Sequence, residues 1–327
     1  MLEHLKAKHN INYHFVYPSY RLKNIARFCI ALTAAMLFRK KHSVIIFQKI
    51  YTTGIYATLL KMLLFFRRKN TVYDIDDAEY LRFSDKTIKH FLCNCSAVFV
   101  GSNELLNYVI KYNKNTFLLT SPVLPFQYNG KEKNQRLTIG WIGDYGTGKE
   151  VSKNYSHKAS LKSLLFPAIK SIEFSLKLIL VGVNTKEDKE EIMDYFSGNK
   201  NLMVEIPLNV NWLDETVIHH YLEQFDIGVS PMVDHEFNRA KSAFKLKQNF
   251  SCGIPALASP VGENNTFLKD GINGFLCSAT EDFKEKILIF NSMSEDNYCK
   301  MSRNAANSLP EFDLEQFCIK LLKYAEC

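Results

Sequence analysis

Short apolar runs alternate with helix-length amphipathic stretches along this chain, and the series occurs twice. In the first half the runs at 13–17, 44–47, 71–74, 97–100 and 116–119 are predicted strands. Helical patterns lie between them, the most apolar at 25–38 and 55–66. Residues 122–134 hold Pro122, Pro125, Gly130 and a Lys-Glu-Lys run, and read as a linker. The second half restarts with strands at 137–142, 176–181, 203–206, 227–230 and 256–259, and a last helix is predicted at 314–324. Strands separated by helix-length segments imply parallel sheets with right-handed crossovers. The expectation is therefore an α/β chain of two Rossmann-like domains facing a cleft.

The densest chemistry lies at 226–275, DIGVSPMVDHEFNRAKSAFKLKQNFSCGIPALASPVGENNTFLKDGINGF. An apolar strand with Ile227 and Val229 ends at Pro231. A polar loop follows, then a helix carrying Lys241, Lys245 and Gln248 and stopped by Gly253, then a strand running into Pro260 and Gly262. Such βαβ units present loops and helix N-termini at the carboxyl edge of a parallel sheet, where anionic groups bind. Lys241 and Lys245 are spaced to share one helix face. With Arg239 they suit a diphosphate, although a solvated basic face has the same spacing. Lys247 falls on another face and is expected in solvent.

Behind the strand at 137–142 comes Gly143-Asp144-Tyr145-Gly146-Thr147-Gly148-Lys149-Glu150. It has the front of a Walker A loop, but Glu150 stands where a magnesium-binding hydroxyl belongs. Asp74-Ile75-Asp76-Asp77 contains a D-x-D at a strand end. It reads either as an acceptor-facing acidic loop or as a set of turn and helix caps. Eight cysteines are scattered without paired metal spacing, so no metal site or disulfide framework is expected, and reduced thiols fit a cytoplasmic setting.

The segment 212–276 resembles the donor half of GT-B glycosyltransferases, most closely the retaining family 4. The shared succession is an acidic residue opening an apolar strand, a proline, a polar loop, a helix ending in Gly253-Ile254-Pro255, an apolar strand, and a late Asn273-Gly274. The resemblance extends to 137–276 and, more faintly, to 43–125 through VYDIDDAEYL and AVFVGSNELLNYV. It implies an acceptor-side domain at 1–124, a linker at 125–136, a donor-binding domain at 137–310, and a last helix at 311–327 that returns to the first domain. A GT-B acceptor domain opens with a strand and a glycine-rich loop. Here no glycine precedes Gly54, so a domain lacking both is expected, through truncation or a minimal design.

The resemblance also assigns roles. Gly143, Asp144 and Gly146 border the donor diphosphate, Val181 and Gly182 lie near the base, and Gln248 meets the ribose hydroxyls. Arg239, Lys241 and Lys245 neutralise the leaving diphosphate, and Asp77 faces the acceptor. Charge is supplied by side chains and helix dipoles, so no cofactor and no catalytic metal are implied. The family's Glu-x7-Glu falls on Ala240 and Gln248, so both carboxylates are absent. Trp212 matches an aromatic ahead of the Asp226 strand and is expected to pack.

Charge adds a partner. Residues 1–73 carry thirteen basic side chains against the single acid Glu3, within a net +7 for all 327 residues. The apolar stretches 25–38 and 55–66 end in Arg39-Lys40-Lys41 and Arg67-Arg68-Lys69 and are too short to span a bilayer. They fit helices resting on an anionic membrane face, or core-facing helices with solvated basic ends. No nucleic-acid motif accompanies the charge, and no secretory signal pattern opens the chain. The expected activity is retaining transfer of a sugar from a UDP- or GDP-sugar to a glycan or lipid-linked acceptor in surface polysaccharide or lipopolysaccharide synthesis, cytoplasmic and peripheral to the membrane. The rivals are a non-catalytic GT-B-like scaffold and a P-loop nucleotide hydrolase.

Overall fold

The computed structural model describes residues 2–16, 22–37, 43–51, 54–67, 69–124, 126, 128, 130–146 and 153–325. In chain order the elements begin with α1 (Leu2–His9), α2 (Leu22–Leu37), β1 (Ile45–Gln48), α3 (Ile55–Phe66), β2 (Thr71–Ile75), α4 (Asp85–Asn94), β3 (Ala97–Val100), α5 (Asn103–Val109) and β4 (Thr116–Leu118). Then come β5 (Leu137–Ile142), α6 (His157–Ser160), α7 (Phe166–Lys170), β6 (Leu176–Val181), α8 (Lys186–Phe196), β7 (Leu202–Glu205), α9 (Glu215–Leu222), β8 (Ile227–Ser230) and α10 (Glu236–Arg239). The chain finishes with α11 (Phe244–Ser251), β9 (Ala256–Ala258), α12 (Asn264–Phe267), β10 (Gly274–Leu276), α13 (Thr280–Ser292), α14 (Glu295–Ala306) and α15 (Leu314–Ala325).

The chain divides into two compact units. The first is Met1–Ser121 with Ala240–Ser242 and Leu314–Cys327; the second is Pro122–Arg239 with Ala243–Asp313. Each holds one parallel sheet, ordered β1-β2-β3-β4 in the first and β10-β9-β8-β5-β6-β7 in the second. The fold is α/β, as the alternation predicts.

Residue type explains the pairing. The strands Leu137–Ile142 and Ala97–Val100 are buried along their whole length, as near-continuous apolar strands covered on both faces must be. In the second unit Ile139, Trp141, Leu178 and Leu180 build one core with Leu165, Phe166, Phe283 and Phe290 from the helices. In the first, Val72, Phe99 and Leu119 close against Leu5 of α1 and against Leu314, Cys318 and Leu321 of α15. Asp226 ties strand to linker: its buried carboxylate accepts the N–H groups of Thr138 at 2.7 Å and Asn134 at 2.9 Å. Burial raises its pKa while those two donors pull it back.

Two strand assignments need correction. Residues 10–16 are irregular where a strand was expected at 13–17, and Tyr17 lies outside the described residues. The alternation there buries no face: Phe15 and Val16 are exposed. The edge strand β10 was not foreseen, since three residues beginning with glycine carry almost no period. Elsewhere the predicted runs and the observed strands agree to within a residue or so at each end.

Helices α2 and α3 pack together in the first unit. Phe28 meets Tyr56 edge-on at 5.1 Å, and the Arg67 guanidinium donates to the Ala35 carbonyl at 2.6 Å. Their other faces leave Ile30, Leu37, Ile55, Met62, Phe65 and Phe66 exposed. The clusters Arg39-Lys40-Lys41 and Arg68 lie outside the described residues. Among the described residues no helix is long and apolar enough to cross a membrane.

Candidate functional site

In the second sheet the strand order reverses at β5: from it the chain builds β6 and β7 on one side, then β8, β9 and β10 on the other. A crevice outside the carboxyl ends of the strands is expected at such a reversal. The loops after β5 and β6 meet there. Gly143 N–H donates to the Val181 carbonyl and Tyr145 N–H to the Gly182 carbonyl, each at 3.0 Å. Asp144 accepts from Gly146 N–H at 2.9 Å and from the Asn184 amide at 3.0 Å, which fixes the turn. Gly182 holds φ +109°, and a Cβ there would lie 1.7 Å from the Gly143 carbonyl oxygen. Only glycine permits this close approach of two backbones.

Lys245, in the first turn of α11, reaches across the same place. A Cβ on Gly143 would lie 2.3 Å from Lys245 Cε and 3.3 Å from its ammonium. The ammonium stands 2.9 Å from His157 Nε2. His157 opens α6, whose N-terminus is capped by Ser156 accepting from Ala159 N–H, and its ring packs edge-on to Trp141. A π turn at Leu161–Leu165 joins α6 to α7. The arrangement brings together glycine backbone, a helix N-terminus and one lysine, a combination suited to an anionic phosphate.

The other predicted cations are placed differently. Ala243 has φ +54°, so α11 begins only at Phe244, and Lys241 precedes the helix instead of sharing a face with Lys245. Lys241 groups with the first unit and lies 3.9 Å from Asp77. Arg239 pairs both arms of its guanidinium with Asp234, at 2.6 and 2.7 Å. Gln248 is half-buried on α11, and Ala240 is buried, its carbonyl accepting from Ser102 Oγ at 2.7 Å.

Lys247 overturns its expectation of a solvent position. It is fully buried, with its ammonium 5.2 Å from the centre of the Phe267 ring. Burial drives its pKa down to about 7 against the opposing charge of Glu263. The helix α11 packs on β8, β9, α12 and α14, so a second face is covered as well. Trp212 is exposed, with its indole edge 3.0 Å from where a Gly182 Cβ would stand. The Walker-like end, Gly148 to Glu150, lies outside the described residues. The following helix starts at His157, whereas a P-loop lysine directly precedes its helix.

A second cluster sits at the carboxyl edge of the first sheet. Near the end of β2, Asp74 accepts from the Gln48 amide at 2.8 Å, and just behind the strand Asp76 pairs with Lys49 at 3.2 Å. Burial, and next the charge of Asp76, push the Asp74 carboxyl up to about 6. The Asp76 and Asp77 carboxylates thus face cations; the turn after β2 is capped by no side chain.

Residues 151–290 match the model of glycosyl transferases group 1. HepE from Anabaena, solved with UDP and glucose, superposes with a TM-score of 0.62 at 15% identity, over 98% of this chain and 88% of HepE. Sucrose-phosphate synthase from Thermosynechococcus elongatus gives 0.62 at 14%, over 93% of this chain and 78% of that one. A point mutant of S. aureus TarM, in complex with Fondaparinux, alpha-GlcNAc-glycerol and UDP, gives 0.58 at 16%, over 79% of this chain. The chain thus shares the GT-B fold of these proteins, and its segment 151–290 matches glycosyl transferases group 1. It spans about half the length of the TarM chain (51%). No curated protein matches it by sequence.

In the second unit, sequence reasoning missed His157. It stands eighty-eight positions from Lys245 and carries no motif. Two buried asparagines also escaped notice. Asn238 holds the Tyr155 and Val233 carbonyls through its amide nitrogen, and Asn264 holds the Ser259 carbonyl. Their side-chain oxygens are buried beside loops at the carboxyl edge of the second sheet.

Proposed function

We propose that this chain is a glycosyltransferase that moves a sugar from a uridine diphosphate sugar to a glycan or lipid-linked acceptor, with retention at the anomeric carbon. The carrying observation is Lys245 lying over Gly143 beside the start of α6 at the reversal of the second sheet. The donor diphosphate would rest on the Gly143–Gly146 backbone, with Gly182 giving it room and Lys245 stabilising the charge that develops as the C1–oxygen bond breaks. The acceptor oxygen forms its bond to C1 on the face the diphosphate leaves, and its proton passes to a departing phosphate oxygen. Gln248 binds ribose hydroxyls through its amide. Lys241 and Asp77 orient the acceptor hydroxyl, with Asp76 and Lys49 beside them. HepE and TarM, each solved with UDP, support uridine as the base. The exposed apolar side chains of α2 and α3, in a half-chain rich in lysine and arginine, support a role on an anionic membrane face, where lipid-linked acceptors of surface polysaccharide synthesis reside.

The test is thermal stabilisation by UDP, GDP, ADP, CMP and ATP–Mg, followed by product analysis with the stabilising nucleotide's sugars. At 100 times its Kd a ligand adds about 2.7 kcal/mol. UDP stabilisation without metal, lost in Lys245→Ala, is the expected outcome. Stabilisation with no transfer to any acceptor would favour a scaffold, as the loss of both family glutamates at Ala240 and Gln248 would allow. Stabilisation by ATP–Mg alone would overturn the donor assignment.

A further inference from the structure

Far from the strand-edge clusters in sequence, three side chains of the first unit converge where its first and last helices meet. Leu5 of α1 is buried against Leu314, Cys318 and Leu321 of α15. Around this contact stand His4, His9 and, in the first turn of α15, Glu315. His4 Nε2 bonds to Glu315 Oε2, and His9 Nε2 lies 3.1 Å from Glu315 Oε1. One donor atom from each of the three lies within 4.8 Å of the other two. Asn10, with φ +54°, ends α1, and Ile11 N–H folds back onto the Leu5 carbonyl at 3.2 Å, which holds His9 near the carboxylate.

One nitrogen separates the cluster from a simple ion pair. The His9 nitrogen is shielded from solvent and, despite its distance to Glu315, makes no hydrogen bond of acceptable angle. An imidazole nitrogen offers either one proton or one lone pair. His9 Nε2 keeps that capacity unused while lying within 4.8 Å of donor atoms of His4 and Glu315. Two neutral imidazoles and one carboxylate are the donor set of a divalent transition metal, which takes Zn–N and Zn–O distances of about 2.0–2.2 Å. Ligands at such distances in a tetrahedron stand roughly 3.4 Å apart, and these three donor atoms already lie within 4.8 Å of one another. Calcium and magnesium prefer all-oxygen sets.

We propose that His4, His9 and Glu315 form a site for a zinc-class divalent cation that clamps α1 onto α15, with one coordination position left to water. The site is structural and independent of the sugar-transfer reading. Metal binding requires these ligands in their deprotonated forms.

The test uses the full chain with zinc or cobalt chloride alone. Calorimetry should give one saturable site for zinc in the wild type, and none for magnesium. Amide exchange over Leu2–Ile11 should slow when zinc is added. The variants His4→Ala, His9→Ala and Glu315→Gln should each weaken binding at least tenfold and abolish the local protection, while His220→Ala on α9 changes neither. Glu315→Gln keeps the shape of the site, so the measurement survives if a histidine variant unfolds. Wild-type zinc binding that leaves exchange in Leu2–Ile11 unaltered, or that persists in Glu315→Gln, would overturn the proposal, as would absence of binding.

Discussion

The Lys245 ammonium and the His157 imidazole meet at 2.9 Å, joining the start of α11 to the start of α6. An ammonium has no lone pair, so His157 must accept at Nε2 and be neutral for this bond. The contact holds a flexible four-carbon side chain over the glycine loop before any ligand arrives. Lys245→Ala should lower turnover by about 10²–10³-fold and remove nucleotide stabilisation. His157→Ala should raise the donor KM while leaving kcat closer to wild type, because it positions the lysine without touching the reacting carbon. Steady-state kinetics on both variants check this.

Gly182→Ala is expected to damage stability and donor binding together. Its new methyl group would lie 1.7 Å from the Gly143 carbonyl in a backbone region that L-residues rarely adopt. Strain and backbone displacement of this kind cost about 1–3 kcal/mol each. A denaturant titration should show the loss, and UDP should no longer stabilise the variant.

The sequence carried the sheets because their strands are long apolar runs punctuated by glycine and proline, and such runs have few other stable homes. It placed Ala97–Val100, Leu137–Ile142, Leu176–Val181 and Ile227–Ser230 to the residue. It also placed Gly143 and Gly182, whose spacing relative to strand ends is local information. What it could not carry is anything decided by packing. Lys247 reads as a surface lysine until both faces of α11 are seen to be covered, and one left-handed residue, Ala243, removes Lys241 from the helix. The partnership of His157 with Lys245, like that of His4 and His9 with Glu315, joins positions whose separation has no period to detect.

Lys247 and Glu263 offer a double-variant test. Removing one member of a buried charge pair typically costs about 3–5 kcal/mol, whereas replacing both is often neutral or stabilising. Lys247→Met should therefore destabilise, and Lys247→Met/Glu263→Gln should recover most of the loss. Protonation gives an independent check. The amine titrates at about 7 when folded and at the ordinary lysine value when unfolded, so the unfolded chain binds more protons in between. The contribution of Lys247 to stability should rise as pH increases from about 7 toward the ordinary lysine range. Comparing denaturant midpoints of wild type and the double variant at each pH isolates this trend from the buried cysteines, Cys95 pushed up to about 12 and Cys252 to about 11, which act in the opposite direction.

Asp74 has the reverse sign. Its carboxyl is raised from 3.8 to about 6 by burial and by Asp76, so the folded chain holds the extra proton between those values and loses stability as pH rises through them. Asp74→Asn should melt at a higher temperature than wild type at pH 7, with the difference closing as pH approaches 4. Melting curves across that range decide it.

The division of the chain has a temporal consequence on the ribosome. The apolar side of the first sheet is sealed by α15, whose Leu314, Cys318 and Leu321 join Val72, Phe99 and Leu119. All of Pro122–Asp313, which contains the whole second unit, must emerge before that seal is made. At translation rates of 5–20 residues per second this leaves an open sheet for roughly 10–40 s. The half synthesised first is thus the half completed last, and a nascent chain stalled before Leu314 presents a chaperone with bare valine and phenylalanine where the finished protein has a closed core.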